Sequence, residues 1–242
     1  MPEGVQPAIV LRRIPYRDSS LVLNLFTQEH GVRSVMAKGA RKGSKSLPRG
    51  DLAGFHTLGV QLSGREGQSM MTLRRVEILS PRHGLMHHVA GSSAAQLMLE
   101  QVYRLFPAED PHPGLFAALD GAMARLEAQA SPLQVVGLWQ GQLLHSLGFG
   151  WQTACCAGCG QGDDLIFFSP KRNQTVCRMC GIPHRDRLLP LAEGVLALMR
   201  GEMVEDLRAQ RNLLALTCKL LERHGEKAFH ALEPFLNVSG LR

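Results

Sequence analysis

Four of the six cysteines stand in two C-x2-C pairs, Cys156-Ala157-Gly158-Cys159 and Cys177-Arg178-Met179-Cys180, with 17 residues between them. Each pair folds the chain into a knuckle tight enough for both thiolates to meet one ion at ~2.3 Å, and two pairs at this separation match a zinc ribbon. A tetrahedral Zn2+, one per chain, is the expected occupant, with Cys156, Cys159, Cys177 and Cys180 as ligands. Four thiolates fill the coordination sphere and leave no position for water, so the metal is expected to be structural and not hydrolytic. Between the knuckles, Leu165-Ile166-Phe167-Phe168 and the turn residues Ser169-Pro170-Lys171-Arg172-Asn173 read as a β-hairpin. A redox dithiol leaves the second matched pair unexplained. Cys155 could replace Cys156 through a C-x3-C spacing, but the shorter spacing is the preferred one. Cys218, on the apolar face of a helix, reads as a small buried hydrophobe.

The flanking sequence changes period on either side of Pro81. From residue 5 to 79 it is a series of short β-runs, at Pro7–Arg13, Leu21–Thr27, Val32–Lys38, Phe55–Leu62 and Met70–Leu79, with a Gly-containing loop at Ser63–Gly67. Five strands in so short a stretch suit a closed barrel of OB type, although an SH3-like barrel would show the same pattern. Beyond Pro81 the apolar residues fall on helical faces: Leu97, Met98, Val102 and Leu105, then Leu115, Leu119, Ala122 and Leu126. Ser131-Pro132-Leu133-Gln134 has the spacing of a capping box with proline at the first helical position, which predicts a helix from 132 to near Gly148. Helical patterning resumes at Leu191–Met199 and Leu207–Leu221. The chain therefore reads as an α+β multidomain protein: an N-terminal OB-fold barrel over 1–80, a helical domain over 81–150 and 188–242, and a four-cysteine zinc ribbon-like module inserted at 151–187.

Charge is distributed unevenly over these parts. The formal net charge is +6, yet residues 1–80 hold 12 Lys/Arg against 6 Asp/Glu, whereas 188–242 hold 7 against 7. Between His30 and Asp51 lie Arg33, Lys38, Arg41, Lys42, Lys45 and Arg49 without one carboxylate. Small residues separate the cations in Ala37–Ser46, so backbone and side chains alike are able to approach phosphates. These six residues are the expected DNA contacts. Residues 1–80 contain only Tyr16, Phe26 and Phe55 as aromatics, with Phe26 reading as core. Stacking on bases is thus limited, and binding is expected to be dominated by phosphates and indifferent to sequence.

Leu23–Gly31 (LNLFTQEHG), followed by Val32–Leu52 with its AKGARKGSKS core, resembles the N-terminal domain of the bacterial RecO recombination mediators. The resemblance extends over essentially the whole chain, since that family combines an OB barrel, a helical domain and, in many members, a four-cysteine zinc module. It implies a DNA repair and recombination factor that binds single- and double-stranded DNA, anneals complementary strands, and works with RecR and the single-strand-binding protein to load the recombinase. The alternative class is an RNA-binding protein of translation or ribosome assembly, where basic OB barrels and zinc ribbons are also common. No catalytic centre is expected. The sequence has no G-x4-G-K-[ST] loop, Gly158–Gly162 follows a knuckle and not a strand, and His83, His87 and His88 have no carboxylate near them before Glu100. The N-terminus lacks a signal-peptide pattern and no membrane-spanning apolar run is visible, so the expected location is the cytoplasm, at the nucleoid.

Overall fold

The computed structural model describes residues 4–48, 50, 52, 55–64, 70–223 and 229–240. They group into two compact units, one comprising residues up to Ala130 together with Phe229–Gly240, the other lying within Ser131–Ala228.

Five strands open the first unit: β1 (Gln6–Tyr16), β2 (Ser20–Thr27), β3 (Gly31–Ala37), β4 (Thr57–Ser63) and β5 (Met71–Ser80). They close in the order β1-β2-β3-β5-β4, and β4 returns to pair with Gln6–Ile9 of β1. All pairings are antiparallel except β3 with β5, which is parallel and short, Val35 opposite Met71 and Met36 opposite Thr72. A parallel closure requires a crossover between β3 and β4. This is the Greek-key arrangement of an OB barrel, and it removes the open sheet edge. The alternation in β2 and β3 has the expected consequence: Leu23, Leu25 and Val35 point inward with Leu58, Val60, Leu62 and Leu73, while Val22, Asn24 and Met36 occupy the outer face. Phe26 is fully buried, its ring 5.6 Å from that of Phe116.

Three helices complete the first unit: α1 (Val89–Leu105), α2 (Pro113–Glu127) and, from the far end of the chain, α7 (Leu232–Val238). Leu97, Met98 and Val102 on α1, and Leu115, Leu119, Ala122 and Leu126 on α2, are the buried faces that the helical period predicts. Polar ties fix these helices. The Glu127 carboxylate accepts from the amides of Gly84 and Leu85, and Glu100 accepts from His230 and Ala231 just before α7. Arg82, where the chain leaves the barrel, is buried; it donates to the Phe55 carbonyl, to Thr57 Oγ1 and, at 2.6 Å, to Asp120 of α2.

In the second unit α3 (Pro132–Ser146) packs on α6 (Leu207–Arg223). Between them in sequence lie β6 (Leu165–Ser169), β7 (Gln174–Cys177), the single turn α4 (Arg178–Gly181), a 3-10 stretch to Arg187, β8 (Leu189–Pro190) and α5 (Val195–Met199). The three strands form one small sheet, in the order β7-β6-β8. Two local expectations fail for identifiable reasons. α3 begins at Pro132 as predicted, but Ser131 makes no cap: its hydroxyl donates to Gln210 Oε1 at 2.5 Å, and the Gln134 amide also turns toward α6 and Met203. Helix around Leu191–Met199 is confined to Val195–Met199, because Pro190 lies in β8 and Gly194 adopts φ +78°.

Removing Asp120 leaves the Arg82 guanidinium buried without a counter-charge, which is costlier than never having buried the pair. Because Asp120 itself is partly exposed, Asp120→Ala is expected to cost about 2–3 kcal/mol in urea unfolding of the whole chain, and Asp120→Asn less. An unchanged urea midpoint for Asp120→Ala would show that the network does not hold the barrel exit.

Candidate nucleic-acid interface and four-thiol centre

The crossover that closes the barrel, from Lys38 to His56, is also the basic segment. It is held at both apolar and polar points. Ala40, Leu47 and Leu52 are buried in the barrel core, so the segment cannot drift free of it. On its other side it is bound to the β1–β2 turn: Gly39 N donates to Ser20 Oγ, Arg41 N to the Ser19 carbonyl at 2.9 Å, and the Arg41 guanidinium to the Arg17 carbonyl at 2.7 Å. Lys38, Arg41, Lys42 and Lys45 are exposed, and among the described residues none of the four makes an ion pair. Arg33 differs. It is half-buried on β3, with its guanidinium 3.2 Å from Glu109 and near the Met71 sulfur. Glu109 holds that position with φ +66° and an amide bonded to the Val32 carbonyl. Arg49 lies outside the described residues.

The β1–β2 turn brings further groups to the same surface. Tyr16 and Arg17 are exposed, with the Arg17 guanidinium over the Tyr16 ring at 5.3 Å from its centroid. In sequence these residues stand 20 or more positions before the basic segment, and only the pairing of β1 with β2 and of β2 with β3 makes them neighbours.

In the second unit, Cys156, Cys159, Cys177 and Cys180 converge, all four sulfurs lying within 4.8 Å of one another. Cys159 and Cys177 are 3.7 Å apart. A tetrahedron with ~2.3 Å metal–sulfur bonds has sulfur–sulfur edges of about 3.8 Å, so the spacing fits one ion. The first knuckle is shaped by Gly160 at φ +77°, with its amide donating to the Cys156 carbonyl, and the second by Gly181, where a Cβ would stand 2.2 Å from the Phe167 ring. The sequence-predicted hairpin is β6–β7, whose Leu165 and Val176 pack directly against Cys156 and Cys177. Burial raises the Cys156 thiol, but amides of Cys177, Cys159 and Gly158 donate to its sulfur and bring its pKa down to about 6. Cys180, sharing hydrogen bonds with the sulfurs of Cys159 and Cys177, is pushed up to about 12. The Cys156 thiolate forms readily, while the hydrogen bonds that Cys180 shares with the neighbouring sulfurs hold its proton in place. Cys155 stands outside the group, its sulfur facing the Gln174 side-chain amide.

No described helix is long and apolar enough to cross a membrane. Two family profiles match the chain, "Recombination protein O N terminal" over residues 1–82 and "Recombination protein O C terminal" over 87–233. Similar curated proteins include the DNA repair protein RecO of Vibrio parahaemolyticus, 33% identical over 219 residues, covering 90% of this chain and 87% of that protein. The protein of the same name from Chelativorans sp. is 31% identical, covering 89% and 85%. That of Aliivibrio salmonicida is 36% identical over 164 residues, and the match spans 66% of its length and 66% of this chain.

Cys218 provides a contrast to the clustered thiols. Burial pushes its thiol up to about 11, against a smaller lowering by the Gln140 side chain. Since the thiolate is the reactive form, iodoacetamide at pH 8 is expected to modify Cys218 in the folded chain at least ten-fold more slowly than in urea-unfolded chain. Equal rates by peptide mass spectrometry would contradict its burial.

Proposed function

The chain belongs to the RecO family, and on that premise we propose that it is a DNA repair and recombination factor that acts by binding and not by catalysis. The observation that carries this reading is the basic crossover, whose exposed Lys38, Lys42 and Lys45 are presented on a segment anchored to the barrel at Ala40, Leu47 and Leu52. Such a surface meets phosphates without reading bases, so it accepts single strands and duplexes of any sequence. Two strands screened on one cationic surface are then able to pair, which is the physical basis of annealing. Arg33, Arg41 and Arg49 complete the proposed DNA contacts, with Arg33 reaching phosphate only by exchanging its Glu109 partner for it. Work with RecR and the single-strand-binding protein to load the recombinase, in the cytoplasm at the nucleoid, follows from the family and not from the geometry. The names of the relatives favour DNA over RNA as the polyanion.

We further propose that the four-thiol centre of Cys156, Cys159, Cys177 and Cys180 holds one structural Zn2+. The ion supplies charge neutralisation and four cross-links to a module too small to build a core of its own. Cys156 and Cys177 are buried beside Leu165 and Val176, whereas Cys159 is exposed and Cys180 half-buried, so the centre is covered on one side and open to solvent on the other.

Two measurements test this. Changing Lys38, Lys42 and Lys45 together to Ala is expected to weaken binding to all DNA sequences alike and to reduce the slope of log affinity against log salt by roughly 2 to 3, as for the loss of three phosphate contacts. Unaltered affinity and slope would move the DNA site elsewhere. Elemental analysis of freshly purified protein is expected to give close to one zinc per chain, abolished by Cys156→Ala or Cys177→Ala. Chelation should raise hydrogen exchange across residues 151–187 before it does so in the barrel, and a uniform rise would contradict a separately stabilised module.

A further inference from the structure

Strand alternation places an uncharged ledge beside the lysines. Tyr16 is paired with Ser20, Ile14 with Val22, and Val22 in turn with Met36. Directly opposed residues of antiparallel strands share a face, and here it is the outer one, because the intervening Leu23 and Val35 point into the barrel core. Further along the same face Phe26 is covered by Phe116, but at the turn end Ile14 and Tyr16 remain 37% and 41% exposed. Lys38 follows Ala37, the partner of Leu21, and is therefore next to Ser20 in register; Gly39 N bonds that serine's hydroxyl. An exposed tyrosine on an apolar ledge thus borders the cationic crossover. The Arg17 guanidinium lies over one face of the ring, 5.3 Å from its centroid, so a stacking base would use the remaining exposed part of the ring or displace this exposed side chain.

We propose that Tyr16 is a base-stacking contact for single-stranded DNA, seated on the ledge of Ile14, Val22 and Met36, with the strand's phosphates against Lys38 and Lys42. Charge complementarity selects the occupant: an acidic backbone for the lysines and a π-face for the ring are offered together by an unpaired strand. In a duplex the bases are stacked on each other and turned inward, so the ring finds no partner and only the lysines act. Tyr16 would then give the barrel a preference for single strands that phosphate contacts alone do not provide. This inference rests on the reading of the crossover as a DNA surface.

Equilibrium binding by the full chain to fluorescein-labelled oligo(dT) and to a duplex of equal length separates the two ideas. Tyr16→Ala is expected to weaken oligo(dT) binding roughly ten-fold with duplex affinity and the salt slope unchanged. Tyr16→Phe and Tyr16→Trp should bind oligo(dT) as tightly as the wild type or more so, since the π-face is retained. Wild-type oligo(dT) affinity in Tyr16→Ala, or an equal loss on both substrates, overturns the stacking role. If the triple lysine variant loses both substrates while Tyr16→Ala binds normally, the DNA surface stands and the ring proposal falls. If the wild-type chain binds neither, both fall.

Discussion

The parallel contact between β3 and β5 is the constraint on which the first unit turns. It consists of two residue pairs, yet it converts a five-strand sheet with two open edges into a closed barrel. A parallel neighbour cannot be reached through a hairpin, so the chain must leave the sheet after Ala37 and re-enter at Thr57 in a strand that pairs elsewhere. The basic segment is that excursion. Its apolar residues, Ala40, Leu47 and Leu52, are spaced widely enough to return to the core while Arg41, Lys42 and Lys45 between them stay in solvent. The position of the charged surface is therefore a consequence of barrel closure.

Much of this was legible from local pattern. The runs Leu21–Thr27 and Val32–Lys38 were legible as strands, and their pairing then fixes which face is inward, because a strand with one buried face permits only one register. The cysteine spacing led to the observed cluster because a metal knuckle is a local geometry. What could not be read depended on residues distant in sequence. Nothing near Arg33 announces Glu109, 76 positions away, as its partner. Ser131 and Gln134 have the form of a capping box, yet Gln210, brought against α3 by packing, competes for both side chains. Tyr16 gave no signal because a single tyrosine after a proline acquires a neighbourhood only when β1, β2 and β3 are paired.

The second unit shows the same dependence of charge on packing, carried by sulfur. Around Cys156 and Cys177 the hairpin β6–β7 contributes Leu165, Val176 and the half-buried Phe167, joined by Ala157, Leu188 and Leu196, a small apolar surface to set against the ordering entropy of the module. Four neutral thiols in contact add little cohesion, and once their protons leave the thiolates repel one another unless a cation stands between them. The backbone amides aimed at Cys156 prepare one thiolate in advance. Cys156 is thus biased toward the thiolate where burial alone would keep it neutral, while Cys180 retains its proton.

Arginine and lysine have separate duties around the barrel, and this bears on how DNA would be held. The Arg82 fork is buried among Phe55, Thr57 and Asp120; Arg33 is paired with Glu109; Arg41 reaches the Arg17 carbonyl. In each case the planar guanidinium, with several donors in fixed directions, ties one element to another. Among the described residues, the cations left without such ties on the crossover are Lys38, Lys42 and Lys45, compact charges on flexible stems. An ammonium follows a moving phosphate without fixing its orientation, whereas a bidentate guanidinium would lock it. A surface of lysines set on a frame of arginines therefore favours contacts that form and exchange quickly. That is what a protein must offer if a strand bound to it is to slide and realign until its complement is found.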